Sequence, residues 1–448
     1  MPEPKKYPPP GPRGTVTNAQ KSTSKTAVMD VLRFLTPENL DQIRIDFSTP
    51  TFVYDEAMLR ENARAVKEFP NAFGLFPRYA MKAAPTSAII RILNSEGLGI
   101  DASSGFEVER AVRAGVGTEF ISLSTQEFPD EFRYWIQDGV KTNLCSLNQI
   151  HKFGQWGKGE SIGLRFNPGL GSGGTKRTNV GGPASSFGIW KDDLEEAKSL
   201  CRDYGLTVER IHTHIGSGSD PEVWKKVAAM SLDLVRAFPA VHTLNLGGGF
   251  KVARMSDEKA TDLREIGEPV KQLFQDFATE TGRELTLEIE PGTFLLANAC
   301  SLVTTVQDVT STGKDGYRFL KLNAGMTEIL RPSLYGAQHP IVLVPEEGQN
   351  KFRQEMEQVV VGHCCESGDL LTPAPGDAEK LATRKLPKGE VGDLCVIEGV
   401  GAYCSSMSAK NYNSFPEAAE VLRKEDGSLA FIRQRQTFDQ LIENEVAP

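Results

Sequence analysis

A (β/α)8 barrel followed by a β-rich second domain is the fold class that this 448-residue sequence predicts. Three observations lead there. From about residue 75 to 292, short β-prone runs alternate with helical patterns. A polar residue or a glycine recurs at or just past the carboxyl end of each of those runs. Beyond about residue 296 the helical spacing fades, and strands separated by turn signals take over.

The strands expected in the barrel are Leu75–Ala80, Leu98–Ala102, Phe120–Ser124, Lys141–Cys145, Ile162–Phe166, Thr207–His214, His242–Leu246 and Leu285–Glu290. Between nearly all of them the apolar residues fall three and four apart, over Pro85–Asn94, Phe106–Ala114, Glu127–Gln137, Asp192–Tyr204, Pro221–Phe238 and Asp262–Thr281. Lys82, Asp101, Ser124, Ser146, Asn167, His214, Gly247 and Glu290 mark the carboxyl ends of the strands. That is the end at which a barrel gathers its chemistry, because the βα loops lie there. In the second domain, strands are expected at Leu302–Val309, Tyr317–Asn323, Gln358–Val361, Leu394–Glu398 and Leu429–Arg435, joined by Thr51–Asp55 from before the barrel. The domains are therefore read as a barrel over 56–295 and a β-rich unit, sandwich-like or barrel-like, built from 29–55 with 296–448. Residues 1–28, rich in Pro, Ser and Thr and with almost nothing to bury, read as a disordered extension.

Composition narrows the function. With 39% hydrophobic and 24% charged residues the chain can build a proper core. A net charge of −9 and the lack of a basic block argue against nucleic-acid binding, and no apolar run is long enough to span a membrane. The seven cysteines form no Cys-x-x-Cys pair, which points away from structural zinc or a disulfide framework and toward a reducing compartment, the cytoplasm. A plastid is the alternative if the basic N-terminal extension is a transit peptide.

Five constellations carry chemistry. In Arg78-Tyr79-Ala80-Met81-Lys82-Ala83, a lysine at the end of a buried strand is expected to have its pKa lowered by desolvation, fitting it for a Schiff base with an aldehyde. Taken alone it also reads as a lysine snorkelling at a strand end. In Glu288-Ile289-Glu290-Pro291-Gly292, alternation sends both glutamates to one face, toward the barrel mouth, where a protonated ring nitrogen or a structural cation would pair with them. Gly247-Gly248-Gly249 follows a strand directly, so its backbone can approach an anion, although ligand-free glycine turns are common. His212 and His214 share a face but lack a third ligand, so a ring packed on an aromatic cofactor or a structural histidine is preferred to a metal. Cys364-Cys365-Glu366-Ser367-Gly368-Asp369 sets a thiol among acids, which suits a proton donor better than a nucleophile, with a structural cysteine as the plain alternative. Together these supply what pyridoxal 5′-phosphate requires.

The same residues fall into an ordered set of motifs. Tyr79–Ala83, Asp101-Ala102-Ser103-Ser104-Gly105, Ser186-Phe187-Gly188-Ile189, His212–Ser217, Asn245–Gly249, Glu290-Pro291-Gly292, Arg331-Pro332-Ser333-Leu334-Tyr335-Gly336, Cys365–Asp369 and Gly401-Ala402-Tyr403 occur in that sequence. In this the chain resembles the diaminopimelate decarboxylases, within the alanine-racemase-like, fold-type III pyridoxal-phosphate enzymes, over nearly its whole length after about residue 45. The resemblance implies that Lys82 carries the cofactor, with Asp101 beside it. It further implies that Glu290 pairs with the pyridine nitrogen, that His214 stacks on the ring, and that Ser217, Gly247, Gly248, Gly249 and Tyr403 hold the phosphate. Arg331, Tyr335, Glu366 and Tyr403 would hold the substrate, and Cys365 would act near Cα from the partner in a homodimer with shared sites. The implied reaction converts meso-diaminopimelate to L-lysine and CO2. Another basic amino acid, or a non-catalytic homologue, is the alternative.

Three positions depart from the family pattern. Thr293 follows Glu-Pro-Gly where arginine is usual, Asn323 stands for an aspartate, and Phe415 stands for an arginine. Arg331 is the first candidate to replace the missing cation; Lys176 and Arg177 are weaker ones.

Overall fold

The computed structural model describes residues 31–446 apart from 171–180, 215, 217, 219, 347, 348 and 350–352. The expected extension at 1–28 lies outside the described residues, as do Ser217, Lys176 and Arg177.

Eight parallel strands form the barrel: Leu75–Ala80, Gly99–Ala102, Ile121–Ser124, Lys141–Leu144, Ser161–Asn167, Thr207–Thr213, Thr243–Asn245 and Thr286–Ile289. Each pairs with the next, and the last pairs back to the first through Leu287–Leu75 and Ile289–Pro77, which closes the ring. The strands are buried at nearly every position because the barrel interior covers one face and the helices the other. The helices follow from amphipathic spacing and from caps. Ser104, Ser146, Asp220 and Asp262 each accept a backbone N–H of the first helical turn.

Among the described residues, two helices of 12 and 10 residues escape the sequence reading. Glu56–Lys67 buries Leu59, Ala63 and Val66, and Leu147–Trp156 buries Ile150 and Phe153; in each the apolar stripe is narrow and crowded by polar residues. Conversely, the helix expected over Glu127–Gln137 is confined to Phe132–Gln137. Pro129 disfavours helical backbone at the residue before it, and its carbonyl instead accepts the Phe132 N–H in a turn.

The second domain is a mixed sheet whose spine is the strand Cys300–Ser311. Its first half lies between Thr51–Tyr54 and Leu394–Glu398, and its second half pairs with Arg318–Leu322. Thr51–Asp55 also runs parallel to Ala419–Arg423, which pairs with Leu429–Arg433. Strands Ile341–Val344, Arg384–Pro387 and Ala419–Arg423 go beyond those expected. The segment before the first strand covers one face of this sheet, burying Leu35, Leu40, Ile43 and Phe47 against Val53, Val303, Val396 and Val421.

The two units meet at the carboxyl end of the first barrel strand. There the Ala83 carbonyl accepts the Tyr403 N–H at 2.9 Å and the Ser406 hydroxyl at 3.0 Å. The β-rich domain therefore rests on the turn that carries Lys82.

Candidate active site

Lys82 sits in a single 3₁₀ turn, Met81–Ala83, directly after the first barrel strand. The turn is fixed by Tyr79, whose buried hydroxyl donates to the Ala84 carbonyl at 2.7 Å and accepts the Ala84 N–H at 3.2 Å. Lys82 Nζ lies 3.7 Å from Asp101 Oδ2 and 3.4 Å from the Ser103 hydroxyl. Its side chain keeps 37% exposure, so the ammonium looks out of the barrel rather than into packed core. This corrects the expectation of a lowered pKa. Burial pulls the ammonium down, but Asp101, Tyr403 and Glu290 outweigh it, and the net direction is upward. Asp101 is raised to about 8 by burial and by Glu290, against the pull of Lys82. Its Oδ1 is buried and has no hydrogen-bond partner among the described residues.

Glu288 and Glu290 do share a face, as alternation requires, but they lie in different electrostatic surroundings. Glu288 is deeper and pairs with Arg78 at 2.8 Å and Arg210 at 3.2 Å, all three largely buried. Removing one partner from such a cluster costs about 3–5 kcal/mol. Glu290 receives the Asn245 amide at 2.7 Å and lies 3.3 Å from His212 Nε2. Burial raises the Glu290 pKa, but His212, Lys82 and His214 more than offset it and hold the group below the usual carboxylate range. Asn245 also donates to Glu288 at 3.2 Å, so one amide bridges the structural and the reactive carboxylate.

His214 follows the sixth strand. Burial and then Arg165 push its pKa well below the ordinary imidazole value. Its Nδ1 accepts the Gly216 N–H at 3.0 Å, which leaves the proton on Nε2 of a neutral ring. The glycine run packs directly on this ring. A Cβ at Gly247 would fall 2.7 Å from His214 Cγ, and one at Gly248 or Gly249 would strike the Glu290 or Gly216 carbonyl at 2.2 or 2.0 Å. Gly247 and Gly249 also hold φ of 71° and 108°, a region that L side chains avoid. His212, the second histidine of the motif, is fully buried against the Ser124 hydroxyl at 3.2 Å and serves Glu290.

Sequence reasoning missed Arg165. It points inward from the fifth strand, buried, with its guanidinium 3.6 Å from the Phe187 ring centroid and acting electrostatically on His214, Lys82, Asp101 and Glu290. The signal was a lone cation in the apolar run Ile162-Gly-Leu-Arg-Phe. It also explains the Ser186–Ile189 motif: Phe187 covers the cation, and Gly188, at φ 101°, lets that turn approach the strand.

The fold brings Lys82, Asp101, His214, Gly247–Gly249, Glu290 and Tyr403 to one barrel mouth. Tyr403 reaches it from the β-rich domain, its hydroxyl 3.1 Å from the position a Gly292 Cβ would take. Arg331 opens the short helix Arg331–Tyr335, close enough to Tyr403 to act on its pKa; the Tyr335 hydroxyl meets Met407 Sδ at 4.0 Å. Cys365 and Glu366 are not brought to Lys82. Both are exposed, and Glu366 lines a cavity of about 630 Å3 with Met326, Leu330, Ser333 and Lys410. Cys364, not Cys365, meets Asp369, and burial with that carboxylate pushes its thiol up to about 12. Among the described residues, no group of three or more His, Cys, Asp or Glu could hold a metal ion.

Two of the departures have local reasons. The Asn323 amide donates to the Thr49 hydroxyl at 2.9 Å while its oxygen accepts the Thr305 N–H at 2.8 Å; an ionised aspartate could only accept at both positions, so the Thr49 hydroxyl would have to turn and donate. Phe415 stacks on His363 at 3.6 Å between centroids.

Residues 57–297 match the pyridoxal-binding domain of pyridoxal-dependent decarboxylases. The chain is 33% identical to diaminopimelate decarboxylase from Escherichia coli over 91% of its own length and 96% of the relative's. It is 32% identical to the Streptomyces coelicolor enzyme of that name, over 95% and 97%. A crystal structure of diaminopimelate decarboxylase superposes with a TM-score of 0.84 at 32% identity, covering 91% of this chain and 96% of that one. With Lys82, Glu290 and the glycine turn gathered at one barrel mouth, the chain belongs to the diaminopimelate decarboxylase family of pyridoxal-dependent enzymes.

Proposed function

We propose that the protein decarboxylates meso-diaminopimelate to L-lysine and CO2, the closing step of lysine formation. The observation that carries the substrate is Arg331. Its Nε is buried and without a hydrogen-bond partner among the described residues, beside Tyr403 at the rim of the site. A cation there suits an amino acid with a distal carboxylate and repels the distal ammonium of ornithine or lysine.

The residues fit pyridoxal phosphate. The unpartnered Asp101 Oδ1 and the ionised Glu290 provide for cationic groups, and the glycine turn admits an anion where any Cβ would collide with backbone or with His214. When bound, the cofactor supplies the electron sink for the bond to the departing carboxylate. The protein does the rest. Lys82 would hold the cofactor's aldehyde carbon, while Glu290, kept ionised by His212, would keep the ring nitrogen protonated. The neutral His214 ring offers a flat face, and Gly247–Gly249, with Ser217 and Tyr403, would take the phosphate. Arg331, Tyr335, Tyr403 and Glu366 would orient the substrate so that its α-carboxylate leaves perpendicular to the ring. The proton that replaces CO2 at Cα would come from Cys365 or Lys82.

Cys365 and Glu366 face outward, which supports a homodimer in which the partner completes each site. Free thiols at all seven cysteines support a cytoplasmic setting. Among the described residues no helix is long and apolar enough to cross a membrane. The test is an assay of purified protein against meso-diaminopimelate, ornithine and lysine. Turnover of the first with little of the others is expected; turnover of ornithine alone would refute the assignment.

A further inference from the structure

Two arginines between the barrel and the β-rich domain have more donors than the described residues satisfy. Arg254 follows the glycine turn. Its Nε donates to the Gly399 carbonyl at 2.9 Å, but its Nη2 is buried and finds no acceptor among the described residues. Arg331 Nε is in the same state. His339 stands with them. Its Nδ1 lies 3.0 Å from the Glu398 carbonyl, which places the proton on Nδ1 and leaves Nε2 a buried lone pair without a partner. Consecutive carbonyls, Glu398 and Gly399, thus hold a histidine and an arginine side by side. Four residues past Gly399, Tyr403 donates its N–H to Ala83, the neighbour of Lys82. The strip 398–403 therefore ties both groups to the turn that carries the lysine.

The charges are only partly compensated. Burial and then Arg331 pull the Arg254 pKa far below its ordinary value, and burial with the same two cations lowers His339. Glu258, four residues on, is taken by the backbone N–H groups of Arg254 and Met255 at 2.7 and 3.2 Å. Two half-buried guanidiniums that repel each other, each with a buried, orphaned donor among the described residues, form a site that an oxyanion completes. Thr293, after Glu290-Pro291-Gly292, offers no charge of its own.

We propose that Arg254 and Arg331 together grip the distal carboxylate of the substrate, with Arg254 as the second cation of that subsite. The inference rests on the reading that a diamino dicarboxylic acid reacts at Lys82. The experiment uses the cofactor-loaded enzyme, with Arg254→Gln and Arg254→Lys beside the wild type, and pimelate (heptanedioate) as a non-reacting probe in calorimetric titration. Arg254→Gln should weaken pimelate on the order of thirtyfold or more and raise KM for meso-diaminopimelate by a like factor, with kcat falling less than kcat/KM. Arg254→Lys should recover part of the loss, and cofactor affinity should be unchanged in both. Unaltered pimelate binding and KM in a folded Arg254→Gln enzyme would overturn the inference. So would lost cofactor affinity with pimelate binding intact, which would assign Arg254 to the phosphate. A wild type inert toward meso-diaminopimelate would instead overturn the functional reading, and the pimelate titration would still decide whether Arg254 binds a carboxylate.

Discussion

The barrel mouth and the loop 362–369 both carry reactive side chains, but their electrostatics differ. At the mouth, most charged groups find a partner within the same chain: Lys82 faces Asp101, Glu290 faces His212, and Glu288 lies between Arg78 and Arg210. In the loop, buried Asp369 ties the backbone together by accepting the Cys364 and Met326 N–H groups, while Cys365 and Glu366 point into solvent. The loop is a mount whose exposed groups, on the proposed reading, find their counterpart outside the chain.

The sharpest way to break the first half of this comparison is Lys82→Ala. Turnover should fall by at least on the order of a thousandfold, as it does when a covalent catalytic group is lost, and the visible absorbance of lysine-bound cofactor should vanish. Retained activity would remove Lys82 from the chemistry. Next in size is Arg331→Ala, which should cost on the order of 2–5 kcal/mol in kcat/KM for meso-diaminopimelate by stranding a carboxylate, as steady-state kinetics would show.

A smaller effect probes the mount of the loop. Glu328 accepts the Gly325 N–H at 3.0 Å and the Thr327 hydroxyl at 2.6 Å, and lies 3.8 Å from His363. Burial raises its pKa from 4.5 to about 7. The native state therefore holds a proton there that the unfolded chain has lost, and stability falls as pH rises through that window, by about 3 kcal/mol in total. Glu328→Gln cannot ionise, yet its amide oxygen can accept both bonds. Its urea midpoint should gain on the wild type between pH 5 and 8; a constant difference across that range would contradict the assignment.

The barrel was legible in the sequence because eight strands alternate with helical spacing and each ends in a polar residue or a glycine at the mouth. Ser146 shows the limit of that signal: it marks a strand end but caps the helix Leu147–Trp156. Lys82, Glu290 and His214 could be read from local motifs, but the direction of the lysine's pKa could not, because it depends on Asp101 and Tyr403, brought together only by folding. Arg165 and Arg254 stayed hidden because one cation within an apolar strand or a loop has no partner adjacent in sequence. The second domain was harder still. Its spine pairs residues 51–54 with 300–303 and 394–398 with 301–305, separations that leave no local periodicity.

The central claim is that a complete site takes Lys82 from one chain and Cys365 from another. Mixing Lys82→Ala subunits with Cys365→Ala subunits, each nearly inactive alone, tests it directly. Random pairing makes half the dimers mixed, and each mixed dimer has one intact site, so activity should return to about a quarter of the wild-type value. No recovery, with mixed dimers shown to form, would mean that each chain builds its own complete site.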